Sequence, residues 1–86
     1  MTLNESFKKA EEILGPTKKD IDTAILSLQE SATKIWQAVE NDQKDKINTR
    51  AANALISVFY VMRELGINDP ENCLSMRFEE IKNENK

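Results

Sequence analysis

The glycines and prolines of this 86-residue chain constrain its fold more than any other feature, because only two of each occur. Gly15 and Pro16 are adjacent, and Gly66 lies four residues before Pro70. Both residue types interrupt regular structure, so these two sites divide the chain into long segments. Within each segment apolar residues recur at intervals of three and four, which is the period of an α-helix rather than a strand. The pattern therefore predicts an all-α protein.

Four helices are predicted, and their ends carry residue signals. The predicted helices span about residues 3–14, 18–40, 45–65 and 70–83. The capping signals are Thr2 or Asn4 before the first helix, a capping box of Thr17 and Asp20 before the second, Gly66 after the third, and Asp69 with Pro70 at the start of the fourth. Each of these residue types satisfies or tolerates the unpaired backbone groups of a helix end. The short connections predict a small four-helix bundle.

The inner face of each helix follows from its apolar spacing. The predicted seam of the second helix consists of Ile21, Ile25, Leu28, Ala32, Ile35 and Val39. The third helix carries Ile47, Ala51, Ala54, Val58, Val61 and Leu65, with a second stripe at Leu55, Phe59 and Met62. The predicted inner face of the fourth helix consists of Leu74, Phe78 and Ile81. Alternating gaps of four and three suit packing against a near-antiparallel neighbour.

The wide apolar face of the third helix predicts a homo-oligomer, either a dimer or a tetramer. A chain this short buries only about 60–65 % of its unfolded surface, and small domains often complete their cores by pairing with a copy of themselves. The predicted interface consists of Trp36, Leu55, Val58, Phe59 and Met62. The alternative is a monomer in which the first and fourth helices cover the excess.

Composition excludes several classes of protein. With 40 % hydrophobic and 31 % charged residues the chain is globular rather than disordered. A net charge of −3 disfavours nucleic-acid binding, which needs clustered cations. The single cysteine, Cys73, allows no internal disulfide. Neither a signal peptide nor a stretch of about 20 apolar residues occurs, so a cytoplasmic protein without membrane insertion is expected.

Three stretches of the chain carry a family resemblance. They are LQESATKIWQAVENDQKDKI, RAANALISVFYVMRELGIND and ENCLSMRFEEIKNENK. In apolar spacing, turn lengths and the Leu65-Gly66-Ile67 ending, they resemble the MazG-like all-α nucleotide pyrophosphohydrolases over about residues 21–86. The resemblance implies a MazG-like bundle in which acidic residues three apart on two facing helices hold Mg²⁺. Such a metal activates water and neutralises the triphosphate during cleavage.

The four positions to which the resemblance assigns metal ligands hold no acid. They are Ser31, Lys34, Arg50 and Asn53. Glu30 is one residue away from the first of them, which turns it by about 100° around the helix, and no carboxylate occurs between residues 46 and 63. The resemblance therefore implies the fold of the family without its metal site, and no cofactor is expected.

Two readings of Lys34 and Arg50 remain open. In one, these cations belong to a solvated or interface surface that drifted after catalysis was lost. In the other, they bind an anion directly in place of the metal. Other catalytic groups are scarce, because the chain has no histidine and no glycine-rich loop, and Cys73 lacks a histidine partner.

These observations lead to one expected function and two alternatives. We expect a catalytically inactive MazG-like domain that acts through contacts with an unidentified protein partner. By analogy of size, it suits a regulator encoded by a phage or another mobile element. One alternative is a divergent nucleotide-binding protein or nucleoside triphosphate pyrophosphohydrolase. The other is a structural subunit whose active partner supplies the missing acids.

Overall fold

The part of the chain that the structure describes folds into four α-helices. The computed structural model describes residues 1–15 and 20–85, and no strand occurs in these ranges. The helices are α1 (Leu3–Leu14), α2 (Ile21–Glu40), α3 (Lys44–Glu64) and α4 (Pro70–Glu84). The predicted all-α class with four helices is confirmed. In the described part of the chain, no helix is long and apolar enough to cross a membrane.

The side chains of Thr2 and Asp20 cap the first two helices; the sequence predicted Thr2 as a cap, but Asp20 only as the partner of Thr17 three residues before it. Thr2 and Glu5 form a reciprocal capping box, in which the backbone N–H of Glu5 donates to Thr2 Oγ1 at 3.1 Å. The carboxylate of Asp20 accepts the backbone N–H of Thr23 at 2.8 Å and the Thr23 hydroxyl at 3.0 Å. Thr17, the other half of the predicted capping box, lies outside the described residues. These bonds satisfy backbone donors that have no partner within the helix.

The ends of α2 and α3 share one backbone motif. At the end of α3, Gly66 has the predicted positive φ of 78°. The backbone N–H of Ile67 donates to the carbonyl of Met62 at 2.9 Å, which is the long bond of a Schellman motif. At the end of α2 the same role falls to Asp42, with φ of 53°, and Gln43 donates to the carbonyl of Ala38 at 2.8 Å. Both helices therefore stop at a left-handed residue.

The helices pack in a fixed order around α3. The most extensive contact is between α2 and α3. Because the connection between them is short, these two helices form an antiparallel hairpin. α1 packs against another side of α3, where the rings of Phe7 and Phe59 meet edge to face with centroids 5.6 Å apart. Ala10 is buried with them, and Leu3 packs against the same cluster. α3 is thus the central helix of the fold.

A polar junction joins the N-terminus of α1 to the N-terminus of α4. The backbone N–H of Asn4 donates to the Glu71 carboxylate at 3.2 Å, and the backbone N–H of Glu71 donates to Asn4 Oδ1 at 3.1 Å. Asn4 Nδ2 also donates to Asp69 Oδ1 at 3.0 Å, while Asp69 caps α4 by accepting the N–H of Asn72. Pro70, the first residue of α4, is buried. The junction fixes where α4 starts.

Beyond that junction α4 is exposed. Every residue from 71 to 85 is exposed, and this includes the predicted inner face. Leu74, Phe78 and Ile81 are 45 %, 60 % and 38 % exposed. The monomer alternative required α1 and α4 to cover the apolar face of α3. Because α4 is itself exposed, it does not cover that face.

The chain is more open than a folded domain of its size. It exposes 6467 Å², whereas about 5,200 Å² is usual for a monomer of this mass. Its radius of gyration is 14.7 Å, against about 12 Å for a compact chain of this length. Besides Pro70, the apolar side chains buried in the described part of the chain are Phe7, Ala10, Ala24, Ala38, Phe59 and Tyr60. Three of these six are alanines, so the core is small.

The two left-handed residues should respond oppositely to substitution. A Cβ added at Gly66 would meet nothing within 4 Å, so Gly66→Ala tests the backbone alone and should lower the free energy of unfolding by about 1 kcal/mol. Asp42→Gly relieves the same conformation at the end of α2 and should raise it by about 0.5 kcal/mol. Chemical denaturation of the three proteins measures both effects. Shifts of the same sign would contradict the shared motif.

Acid should weaken the junction through Asp69. The side-chain amide of Asn4 and the backbone N–H of Asn72 hold the pKa of Asp69 below its ordinary value of 3.8. A carboxylate whose pKa is lowered by folding stabilises the fold above its ordinary pKa, and this contribution is lost as the pH falls through the folded pKa. Between about pH 5 and pH 3 the Tm of the natural protein should therefore fall further than that of Asp69→Asn.

The Asp69→Asn variant serves as a matched comparison because its amide oxygen can still cap α4 but does not titrate. Asp20, whose pKa is lowered mainly by the backbone N–H of Thr23, is present in both proteins and cancels. Thermal unfolding followed by circular dichroism at several pH values gives the two profiles. Parallel profiles would show that the junction does not depend on the charge of Asp69.

Candidate functional site

The contact between α2 and α3 is built from small side chains. Ala24 and Ala38 of α2 are 0 % and 1 % exposed, and Ser57 of α3 is buried. Ser27 and Ser31 lie beside them and are half-buried. Because the distance between two packed helices depends on the side chains at the contact, alanine and serine allow a close approach. We call these five residues the small-residue seam.

Three serine hydroxyls and the backbone carbonyl of Ser27 form a network of hydrogen bonds across this seam, which we call the hydroxyl ring. The Ser31 hydroxyl donates to the backbone carbonyl of Ser27 at 2.9 Å. Since a serine hydroxyl has one proton, the 2.9 Å bond between Ser31 and Ser57 must be donated by Ser57. The 3.2 Å bond between Ser27 and Ser57 is then donated by Ser27. The geometry therefore fixes the direction of all three bonds and leaves every hydroxyl proton paired.

The seam differs from the one that the apolar spacing predicted. Ile21, Leu28 and Ile35 are half-buried at its edge, but Ile25 and Val39 are 42 % and 59 % exposed. The buried face of α2 is turned from the predicted one by somewhat less than one residue step, which is about 100°. The reason is size, because serine and alanine bring the helices closer than isoleucine and valine would.

This rotation leaves an apolar stripe on the outside of α2. The stripe consists of Ile25, Ala32, Trp36 and Val39, which share one helix face and are all exposed. Trp36, predicted at an oligomer interface, is 63 % exposed. We call this surface the outer α2 stripe.

The four positions of the implied metal site lie in one region of the α2–α3 hairpin. Contacts of Ser57 with Ser27 and Ser31 set the antiparallel register, which brings Lys34 level with Arg50 and Asn53. Ser31 belongs to the hydroxyl ring, whereas Lys34 and Asn53 are exposed and Arg50 is half-buried. Neither cation forms an ion pair with another of the described residues. Over the same residues, no three Cys, Asp or Glu side chains are grouped to hold a metal.

A second feature is an apolar groove where α3 and α4 diverge. It has a volume of about 370 Å³. Its apolar walls include Leu55, Val58, Phe59 and Met62 of α3 and Pro70 and Leu74 of α4. Cys73 and Arg77 line the α4 side. Four of the five residues predicted at an oligomer interface thus lie together, while Trp36 belongs to the outer α2 stripe. We call this feature the α3–α4 groove.

No local sequence pattern predicts that α4 forms a wall of this groove. Pro70 and Leu74 reach it only because the Asn4 junction places the start of α4 beside α1, and Asn4 and Asp69 are 65 residues apart in the chain. Asn4 itself was a predicted helix cap. Its role in joining two helices depends on tertiary contacts that no local pattern encodes.

Arg63 anchors the end of α1 to α3 and was also missed. Its guanidinium donates to the Gly15 carbonyl at 2.7 Å and pairs with Glu64 at 3.1 Å. It also lies 5.3 Å from the centre of the Tyr60 ring. Burial, followed by the charge of Glu64, raises the pKa of Tyr60. Arginine is seldom buried unless its charge is paired. The contacts with Glu64 and the Gly15 carbonyl provide that pairing for Arg63.

Comparisons of the chain with protein-family models, curated proteins and solved structures found no match. The MazG-like resemblance therefore rests on the sequence stretches themselves and stays a prediction. The surfaces available for a functional interpretation are the hairpin region around Lys34 and Arg50, the outer α2 stripe and the α3–α4 groove.

The hydroxyl ring should contribute measurably to stability. Ser57→Ala removes both bonds between the helices, and at about 0.5–1.5 kcal/mol for each bond the free energy of unfolding should fall by about 1–3 kcal/mol. Ser75→Ala makes the same chemical change at an exposed position of α4 and controls for the higher helix propensity of alanine. Urea denaturation compares the variants. Equal effects of the two substitutions would show that the ring does not stabilise the hairpin.

Proposed function

We propose that this chain is a non-catalytic, MazG-like interaction domain that acts in the cytoplasm through protein contacts. The observation that carries the proposal is its surface. The chain exposes 6467 Å², about 1,300 Å² more than is usual for its mass. Five of its exposed large apolar side chains lie in two features: Leu55 and Leu74 in the α3–α4 groove, and Ile25, Trp36 and Val39 in the outer α2 stripe. Contiguous exposed apolar patches on a small protein mark interaction sites.

The chemistry of the hairpin region supports a loss of catalysis. Mg²⁺ prefers oxygen ligands, chiefly carboxylates and water, but lysine and arginine carry only donors. Lys34 and Arg50 would repel a divalent cation at two of the four positions. At a third, the Ser31 hydroxyl is already engaged with Ser57 at 2.9 Å. A metal bound there would have to displace a bond between the helices.

The two apolar surfaces suit two kinds of contact. The α3–α4 groove is concave, and its walls include four of the residues that were predicted to form an oligomer interface. The outer α2 stripe is a convex helix face that includes Trp36, and tryptophan is enriched among the residues that dominate binding energy at interfaces. This arrangement supports a homo-oligomer that presents a further surface to a different protein. A small regulator encoded by a phage or another mobile element would fit this description by analogy.

One observation favours a second candidate function. Lys34 and Arg50 lie level on neighbouring helices, and the described residues offer neither of them an ion-pair partner. Two cations so placed suit a phosphate or another anion, since charge-assisted hydrogen bonds to phosphate are among the stronger polar contacts. The alternative is therefore a metal-independent nucleotide-binding protein, or a divergent pyrophosphohydrolase.

A nucleotide and metal panel separates these functions. With Mg²⁺ or Mn²⁺ and nucleoside triphosphates, the proposed interaction domain should show no pyrophosphate release and no saturable rise in Tm. Binding at about 100 times the dissociation constant would add about 2.7 kcal/mol to stability, which is easily detected in a domain of this size. Pyrophosphate release above that of a mock preparation would overturn the proposal.

The double variant Lys34→Glu/Arg50→Glu is the control for the anion alternative. Because Lys34 is exposed and Arg50 half-buried, we expect it to fold, with each change costing less than about 1 kcal/mol. If triphosphate or inorganic phosphate stabilises the natural protein and the double variant loses the response, the region is an anion site. The variant should gain no hydrolytic activity, since Ser31 and Asn53 still supply no carboxylate.

A further inference from the structure

We propose that the α3–α4 groove is filled by α4 of a second copy of this chain, with the two α4 helices antiparallel across a two-fold axis. The inference rests on the proposed function, because it names the partner of one of the two apolar surfaces. It is carried by the exposed area, by the apolar face of α4 and by the symmetry of that face.

The exposed area matches what a dimer would bury. A single chain exposes about 1,300 Å² more than is usual for its mass. A standard protein interface removes about 800 Å² from each partner, and permanent homodimers remove more. A dimer in the range between the standard and the permanent class would therefore bring the surface of each chain close to its usual value. The radius of gyration of 14.7 Å, against about 12 Å for a compact chain of this length, agrees with this excess of exposed surface.

The face of α4 that could enter such a groove is apolar and uncovered. Leu74, Phe78 and Ile81 follow one another at intervals of four and three, so they lie on one side of the helix. They are 45 %, 60 % and 38 % exposed. Leu74 also lines the groove, so the apolar face of α4 is continuous with the groove wall. The apolar face of α4 therefore forms one wall of the groove in its own chain and is a candidate to fill the groove of a second copy.

That surface complements itself under a two-fold rotation. Leu74 and Ile81 are one heptad apart, and the midpoint between them lies beside Phe78. An antiparallel pair centred there places Leu74 opposite Ile81 of the second copy and brings the two Phe78 side chains together near the axis. A two-fold interface requires such a self-complementary patch. Together, α3 and α4 of both copies would form a four-helix arrangement with an apolar interior.

The charges near the axis are compatible with this pairing. Arg77 lines the groove, and its guanidinium is bonded to Glu80 at 2.9 Å and to Glu84 at 3.3 Å in the same helix. Two copies of Arg77 near the axis would each bring their own carboxylates. The approach of the two helices therefore does not place uncompensated like charges side by side.

The first test compares two aspartate substitutions on opposite sides of α4. Phe78 and Met76 are 60 % and 58 % exposed in the single chain, but they lie on opposite faces of the helix. Light scattering should give twice the chain mass of 9.8 kDa for the natural protein and for Met76→Asp, and a single chain mass for Phe78→Asp. A natural protein that is monomeric at high micromolar concentration would overturn the proposal.

The second test does not depend on whether Phe78→Asp folds. In a Cys73→Ser background, Phe78→Cys places one thiol beside the axis, and Met76→Cys places one on the opposite face. Mild oxidation with diamide should link the Phe78→Cys chains into covalent dimers within the native assembly. The Met76→Cys chains should stay largely unlinked. Equal linking of the two variants, or none in a dimer that light scattering detects, would assign the dimer to another surface and overturn the proposal.

The outcome is independent of the catalytic test. Pyrophosphate release would overturn the proposed function without affecting the dimer measurements. A monomer whose groove binds a different protein, detected as loss of that complex in Phe78→Asp but not in Met76→Asp, would overturn the second-copy proposal. It would leave the interaction function intact.

Discussion

The close contact between α2 and α3 determines the rest of this structure. Alanine and serine at the small-residue seam let the two helices approach, and the ring of three serine hydroxyls satisfies the polar groups that this approach buries. A buried hydroxyl without a partner would be costly, so small size and mutual pairing are needed together. Once α2 takes this rotation, its larger apolar residues are displaced to the edge of the seam or out to solvent, where Ile25, Trp36 and Val39 form part of the outer α2 stripe.

The same contact explains why α3 is left with an open side. α2 occupies one side of α3, and α1 occupies another through Phe7 and Phe59. The remaining side carries Leu55, Val58 and Met62, and α4 reaches it only along one wall. The described residues form no fifth helix that could cover this surface. Its two exposed apolar regions therefore have different origins, since one arises from the rotation of α2 and the other from the number of helices.

Local signals in the sequence predicted the helices but not their orientations. The caps at Thr2 and Asp69 and the left-handed Gly66 depend on neighbouring residues, so they are readable from sequence, whereas Asp20 was predicted only as the partner of Thr17 and is itself the cap of α2. The rotation of α2 cannot be predicted in this way. The spacing of apolar residues reports their hydrophobicity, whereas the close contact between the helices depends on the small size of the side chains. The resemblance assigns Ser31 and Lys34 to a former metal site, and both residues lie on α2 in the α2–α3 hairpin. Whether that region descends from a metal site stays a prediction. The α3–α4 groove depends on the Asn4 junction, which links residues 65 positions apart.

The attachment of α4 has a consequence for local stability. Its fixed contacts are concentrated at the first turn, where Asn4, Asp69 and Glu71 meet, while residues 71–85 are exposed. A 15-residue helix is marginal in water by itself, so the distal turns of α4 should open without disturbing the hairpin. Hydrogen exchange along the chain would then be graded, with protection highest in α2 and α3 and falling toward Glu84. A second copy of the chain that covers α4 would stabilise these distal turns. Because dimers form at higher concentration, the helix content of this protein should rise with its concentration.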